Sequence, residues 1–420
     1  MKNKVLLIFL AIVLVVSLAA FAACKAEEEP PVVEEEEPPP VVEEEEEPPP
    51  PSYEWPKEFK IATHGIGASD YAQMTSIAPM IEQATGMKVR VVPEDISALK
   101  SRWLVQGLFD TKSDSANEVG TYNIQAQSAY ATRDGGPFQT RAIIQTFFQA
   151  FGIMVRGDSE IRTIYDIKPG TKMSVWSMPG GLELVTAVLA WVNLTPDDVV
   201  LVETGSYPDN MRMVADGRAD VSCLALPSST VIQELEAGPH GLHWLDLNSK
   251  EDPEGAARYN SIMPATIFSP IAIGVESSIG HWGWGGPSLL WTTADTDPEL
   301  IYNLVKWLDE NFDSYKDLHP NNADMSLDRF RGSLDFMYLP IHEGTIKYLK
   351  EKGMWTADDD VRQAYNVDLV TRYIEAYQEA IELADAAGIT VDPENEEWVE
   401  LWEGYKKDLD LPVFKVIYEF

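Results

Sequence analysis

Short apolar runs alternate with segments of helical spacing along most of this chain. "FKIATH" (59–64) predicts a strand, "YAQMTSIAPMIEQATG" (71–86) a helix stopped at Gly86, and "KVRVVP" (88–93) a second strand. In "SALKSRWLVQGLF" (97–109), Ala98, Trp103, Leu104 and Leu108 give a helix one apolar face. "RAIIQTFFQAFGIMVRG" (141–157) predicts two buried strands. A second cycle follows, with strands "KMSVWS" (172–177), "DVVLVE" (198–203) and "ADVSCLAL" (219–226) separated by helices "GGLELVTAVLAWVNL" (180–194) and "SYPDNMRMVADG" (206–217). This alternation predicts an α/β fold of two similarly built lobes, each a mostly parallel sheet flanked by helices. "SLLWTT" (288–293) predicts a strand returning to the first lobe. Asp297 and Pro298 then read as the N-cap and first residue of a helix, and 361–408 is largely helical by pattern.

The start of the chain breaks this rhythm. Lys2 and Lys4 precede an uncharged run from Val5 to Ala23, the layout of an export signal. "FAAC" (21–24) resembles a bacterial lipobox, with Phe21 where Leu is usual, so Cys24 becomes the expected lipidation site. A retained signal anchor is the competing reading. Either tethers the protein to an extracytoplasmic membrane face. Twelve Glu and many Pro then fill 27–51. Repelling charges and extended proline cannot bury a core, so this is a solvated spacer.

Charge and cysteines narrow the function. The net charge is −36, and the chain beyond the spacer is still strongly acidic. That argues against a nucleic-acid or anionic-lipid surface, although a small buried site can still hold an anion. Cys223 is the one cysteine beyond Cys24, so no intramolecular disulfide framework is expected, and no Cys/His cluster has zinc spacing. Neither a metal nor a cofactor is expected.

Two strand-to-helix junctions carry the candidate chemistry. "HGIGASDY" (64–71) matches the first two glycines of G-x-G-x-x-G, with Asp70 in place of the third. Glu94 and Asp95 follow the second strand, where a dinucleotide-binding acid would sit, but an exported protein would rarely meet that cofactor. A bland turn with Ser69 as N-cap is the alternative, and contact of the helix N-terminus with a carboxylate is the reading preferred. "SVWSMPGGLELV" (174–185) supplies the matching loop in the second lobe. Arg102 is either a bidentate partner for a ligand carboxylate or a surface ion-pair residue. Arg133 and Arg141 read as solvated. Trp176, Trp282 and Trp284 read as cleft wall, hinge or core, and Cys223 as packing.

These pieces together resemble a known family. "GIGASDYAQ", "SALKSRWLVQG", "GGPF" (135–138), "GIMVRGDSEIRTIYDIKPGTKMSV" (152–175), "MPGGLELV", "VADGRAD", "STVIQEL" (229–235), "PATI" (264–267) and "HEGTIKYLKEKGMW" (342–355) are similar, in order and spacing, to the TAXI receptors of TRAP transporters. The resemblance implies a type II periplasmic-binding-protein fold. Its lobes would close on a small organic anion, such as an amino acid or carboxylate, which passes to TRAP permease subunits. Position by position it implies a ligand site of Gly67, Ala68, Ser69, Asp70, Tyr71, Ser97, Arg102, Trp176, Ser177, Pro179, Gly180, Gly181, Glu183 and Ser228, with no catalytic residue. Ala68 and Leu182 depart from the family pattern, and "NEVGTYN" (117–123) is longer and more polar than usual.

The expected organisation is a signal at 1–23, lipidated Cys24 and linker to 56, lobe 1 at 57–153 and again at 287–357, lobe 2 at 154–286, and a C-terminal helical extension at 358–420. Hinge strands are expected near Phe151–Arg156 and Leu289–Thr293. The alternatives are a receptor of an ABC importer or sensor kinase, and an enzyme on the same fold.

Overall fold

The computed structural model describes residues 53–416 apart from Gly67, Asp95, Met178 and Pro179, with Gln149 described by its backbone alone. The expected export signal, Cys24 and spacer lie outside the described residues. Tyr53 onward forms one unit.

Parallel strands arise where the apolar runs predict them. β1 (Glu58–Thr63) pairs with β2 (Lys88–Pro93) and with β3 (Thr111–Ser115), and the helices α1 (Ser69–Thr85) and α2 (Ser97–Val105) make the crossovers. In the second lobe β5 (Lys172–Trp176) pairs in parallel with β6 (Val200–Thr204) and β7 (Val221–Ala225), across α3 (Gly181–Trp191) and α4 (Tyr207–Ala215). β8 (Leu242–Leu245) and β9 (Ile267–Pro270) lie beside longer strands.

The two lobes share their sheet. The run 141–157, expected as two strands, is a single 17-residue strand, β4 (Thr140–Arg156). β10 (Trp282–Thr293) runs antiparallel to it from Thr140 to Phe151. The strand order is β2-β1-β3-β10-β4-β7-β5-β6, continuous through both lobes. The sheet is therefore mixed, with parallel ladders confined to each lobe's outer strands. Of the expected hinge stretches, Phe151–Arg156 begins at the crossing and Leu289–Thr293 lies inside lobe 1. Leu289 to Trp291 pair with β3 inside lobe 1, and Met154 and Val155 pair with β7 and β8 inside lobe 2. The crossing lies between these, where Phe151 stacks on Trp284 at 4.9 Å and the Trp284 indole donates to the Cys223 carbonyl at 2.8 Å. Trp284 is thus a crossing residue and Cys223 a buried packing residue.

The C-terminal helices complete the lobe 1 core. Leu369, Tyr373 and Tyr377 of α11 (Ala357–Ala387) and Trp398 and Trp402 of α12 (Glu396–Asp408) belong to the same apolar cluster as Phe59, Ile144 and Trp291. (The shorter helices between α4 and α11 are α5 Thr230–Glu236, α6 Pro253–Asn260, α7 Pro298–Glu310, α8 Phe312–Tyr315, α9 Leu327–Leu334 and α10 Glu343–Glu351.) Asp297 caps α7 as its sequence predicts, accepting the Glu299 N–H at 2.9 Å. Arg133 pairs with Asp385 of α11. Arg141 is buried beside Glu343 and not solvated, because its strand lies inside this core.

Trp402→Ala tests whether the C-terminal helices are core. Truncating a fully buried Trp should cost about 3–5 kcal/mol, read as a lowered midpoint of denaturant unfolding. A loss within the range of a surface change, below about 0.5 kcal/mol, would contradict it.

Candidate interlobe binding site

The first loop is closed on itself by a carboxylate. The helix α1 is capped by Ala68, which has no side chain to offer, and not by Ser69, its first residue. Asp70 does the work from inside the first turn. Its carboxylate is buried and accepts the His64 N–H at 3.0 Å and the Tyr71 N–H at 3.0 Å, and lies 2.9 Å from His64 Nδ1. An acidic group at a helix N-terminus satisfies orphan amides and the dipole together. Asp70, expected to face a ligand, is therefore turned inward, and it supplies the negative charge that a bound anion would have brought.

Behind this loop sits a buried ion cluster. Lys100 of α2 and Lys112 and Asp114 of β3 are each fully buried. Lys100 Nζ donates to Asp114 Oδ1 at 2.8 Å and to the Ser113 carbonyl at 2.9 Å. Lys112 Nζ lies 2.9 Å from Asp114 Oδ2 and donates to Ser101 at 2.6 Å. His64 Nε2 comes within 3.2 Å of Lys100 Nζ and 3.4 Å of Asp114. Ser97, expected at the ligand, gives its hydroxyl to Asp114 at 3.0 Å.

Burial by itself would raise the Asp114 pKa. Lys100, then Lys112 and His64, outweigh it and hold the carboxyl well below the usual range. Burial likewise opposes ionisation of Asp70, and His64 and Lys100 bring it down. Burial lowers Lys112, with Asp114 pulling against that direction. Glu118 shifts the other way, raised by burial and by Asp114, while accepting the Tyr130 hydroxyl at 2.9 Å. The two lysine charges are thus balanced within the lobe by Asp114 and Asp70 together. Arg102 is also engaged, 3.0 Å from Asp134, because α2 turns it toward the 132–135 loop.

Lobe 2 offers a more open terminus. Gly180 caps α3 with φ +80° and no side-chain acceptor. Trp176, half-buried at the end of β5, packs edge-on to Tyr207 at 5.9 Å. The Tyr207 hydroxyl accepts the Leu226 N–H at 3.0 Å, which fixes the loop bearing Ser228. Ser177 and Glu183 are exposed, Gly181 is buried, and Ser228, Ala68, Ser69 and Tyr71 are half-buried. Gly67 and Pro179 lie outside the described residues.

Tyr122 joins the two sides. It stands on a π-helical turn (Glu118–Ile124) whose Val119 and Ile124 are lobe 1 core, yet a Cβ on Gly180 of lobe 2 would run into its hydroxyl. Burial, then Glu183 of lobe 2 and Glu118, push its pKa up. His64, Lys100, Lys112, Asp114 and Tyr122 are all absent from the site expected from sequence. A signal for two of them, Lys112 and Asp114, was present. Lobe 2 has a third strand after its second helix, and the same layout in lobe 1 places a strand at "TKSDS" (111–115).

Two α/β lobes threaded by a shared strand pair, with the segment after β3 of one meeting the strand-to-helix junction of the other, define a two-lobed type II periplasmic-binding-protein fold. The chain belongs to the NMT1-like family, which residues 61–353 match. Its motifs resemble TAXI receptors, but the family matched is this one. Among solved structures it is similar to the periplasmic aliphatic sulphonate binding protein SsuA from Escherichia coli, at 13% identity over 76% of this chain and 88% of that one, with a TM-score of 0.41. A sulfonate-binding protein from Methylobacillus flagellatus KT gives 15% identity, 87% and 98% coverage and 0.38. An ABC transporter substrate-binding protein from Coxiella burnetii gives 13%, 66%, 98% and 0.38. These likenesses are confined to the general fold. No curated protein sequence matches the chain.

The lowered Asp70 and Asp114 values set the sign of a pH effect. Stability from a carboxylate with a depressed folded pKa is complete above its unfolded value near about 4 and is lost as pH falls through the folded one. Acid unfolding of Asp114→Asn, followed by circular dichroism, should therefore show a weaker loss below about pH 4 than the parent chain shows. Lys100→Met should cost about 3–5 kcal/mol, since it leaves a buried carboxylate short of a partner. An Asp114→Asn acid profile parallel to the parent's would remove this cluster from the account.

Proposed function

We propose that this protein is an extracytoplasmic solute receptor that binds a small organic molecule between its lobes and delivers it to a membrane transporter. The observation that carries the reading is the seam itself. Loops at the carboxyl ends of strands from both lobes converge there, and a side chain of one reaches the helix N-terminus of the other. In open α/β sheets that end of the strands is where ligands bind. Binding would be coupled to closure about the β4–β10 crossing, with the closed form selected by ligand.

The ligand class proposed is a small organic anion or zwitterion. Its negative group would meet the amides opening α3, which have no intrahelical acceptor and no capping side chain. Trp176 and Tyr207 would supply an apolar wall, with Ser177, Gly181, Glu183 and Ser228 as further contacts. On the lobe 1 side, Ala68, Ser69 and Tyr71 would remain available, while Asp70, Ser97 and Arg102 are engaged within the lobe. The ion cluster contributes little net charge, so selectivity would rest on dipoles and shape more than on a fixed cation.

The proposed anchor is the lipid on Cys24, with the Glu/Pro segment holding the receptor clear of the membrane. Membership of the NMT1-like family moves the proposed transporter toward an ABC importer. The TAXI-like motifs are the support for a TRAP permease. A neighbouring gene for an ATPase or for a multi-spanning TRAP subunit separates the two.

A thermal-shift screen of carboxylates, amino acids and sulfonates tests the binding reading. A ligand at 100 times its Kd should stabilise the folded state by about 2.7 kcal/mol. With the ligand found, Trp176→Ala should weaken its Kd by about tenfold, the range of one aromatic contact. Turnover of a substrate, with no stabilisation by any small solute, would replace the receptor by an enzyme.

A further inference from the structure

The match to the NMT1-like family stops at residue 353, yet the chain continues through two helices that enter the lobe 1 core. Their polar atoms converge on one segment, 120–136. Trp402 Nε1 donates to the Gln125 carbonyl at 3.0 Å, and Tyr373 OH lies 3.3 Å from Gln125 Oε1 and 3.1 Å from the Pro412 carbonyl. Trp398 Nε1 donates to the Ala131 carbonyl at 2.9 Å, and Tyr377 OH to the Thr132 carbonyl at 2.9 Å. The chain end follows the same segment, since a Cβ on Gly120 would sit 2.9 Å from Tyr338 and 3.3 Å from Phe414.

The segment so held is one that needs holding. It contains a π-helical turn, and Ala126 and Ser128 adopt φ of +47° and +53°, which cost energy for residues with a side chain. A strained stretch persists when its surroundings over-determine it, and here aromatic N–H and O–H donors do so. Its product is the placement of Tyr122 against Gly180. Glu183 of lobe 2 adds to burial in opposing ionisation of the Tyr122 phenol.

We propose that Tyr122 is the closing and specificity-determining residue of the interlobe site, and that the C-terminal helices position it. The proposal rests on the interlobe-site reading for the word specificity, while the closing role stands on the contact alone. A tyrosine here gives a ligand a rigid flat wall with one polar tip. Gly180 is the matching part. Its positive φ and the approach of the Tyr122 hydroxyl each require glycine.

The test uses the full chain carrying Cys24→Ser, with spin labels at Leu108→Cys in lobe 1 and Val200→Cys in lobe 2, both exposed positions. The buried Cys223 thiol, its pKa pushed up by burial, is left in place. Interlobe distances are read by pulsed electron resonance without any ligand. Tyr122→Ala should add a longer-distance population. Trp402→Phe should do the same with Tyr122 intact, and exchange of the Leu184 amide, bonded to the Gly180 carbonyl, should quicken by about tenfold in both. If Trp402→Phe does not fold, Tyr377→Phe removes the donor to Thr132 with a smaller change in packing. Unchanged distances in Tyr122→Ala overturn the closing role. A change in Tyr122→Ala without one in the C-terminal variants overturns the positioning role, and leaves those helices as core packing. Because no ligand enters the measurement, its failure is separable from failure of the receptor reading, which the thermal-shift screen decides. Once a ligand is in hand, Tyr122→Phe should alter its affinity relative to close analogues, whereas a uniform change across analogues would remove the specificity role.

Discussion

A fully buried carboxylate between two fully buried lysines is the constraint around which lobe 1 is built. An ion taken out of water is tolerated only when its partners are in place and hydrogen-bonded. Asp114 accepts hydrogen bonds from Lys100 and Ser97 of α2 and is paired with Lys112 of its own strand, so it ties helix to strand. Lys100 and Ser97 fix the start and roll of α2. The Asp114 carbonyl also accepts the Trp291 indole at 2.9 Å, which locks β3 to β10. Through His64 the same cluster reaches the first loop and sets Asp70 beneath the α1 N-terminus. One residue thus couples the crossover helix, the crossing strand and the first loop.

That coupling makes the two lobes chemically unlike, although their chain layouts match. In lobe 1 the positive end of α1 is answered by an internal carboxylate, and its lysines are neutralised within the lobe. In lobe 2 the α3 terminus begins at a glycine with no acceptor of its own. A charged ligand would accordingly be held by lobe 2 and enclosed by lobe 1. The two glycine-bearing junctions, which look equivalent as strings of letters, differ because Asp70 turns inward and Gly180 has nothing to turn.

The parts of this arrangement legible in the sequence are those governed by apolar periodicity. β1, β2, β5, β6 and β7 and their helices follow it, as does the cap at Asp297. β3 does not. Its "TKSDS" carries no apolar residue, because its burial is compensated by ion pairs and hydrogen bonds and not by hydrophobic contact. A polar string reads as loop unless the parallel layout of the other lobe is used to demand a strand. The long β4 looks like two strands in sequence because nothing local distinguishes one strand serving two lobes from two strands in succession. Its length follows from tertiary pairing, with β10 along most of it and β7 and β8 at its end. The roles of Ser97 and Arg102 were equally closed to sequence, since a hydroxyl or guanidinium aimed at a ligand and one aimed at a neighbouring Asp look the same in one dimension.

The C-terminal helices complete the logic of the first lobe. A charged, hydrogen-bonded cluster supplies orientation but little net stabilisation, since desolvation offsets much of its attraction. The apolar surface that compensates has to come from elsewhere, and α11 and α12 bring Tyr373, Tyr377, Trp398 and Trp402 into the same core. These side chains are aromatic with polar tips, and not aliphatic, which suits a second requirement. The 120–136 segment leaves buried carbonyls that secondary structure does not satisfy, and indole and phenol groups can fill space and donate at once. Leucines in those places would keep the volume and strand the carbonyls. The choice of Trp and Tyr in the tail is therefore tied to the irregular backbone that carries Tyr122.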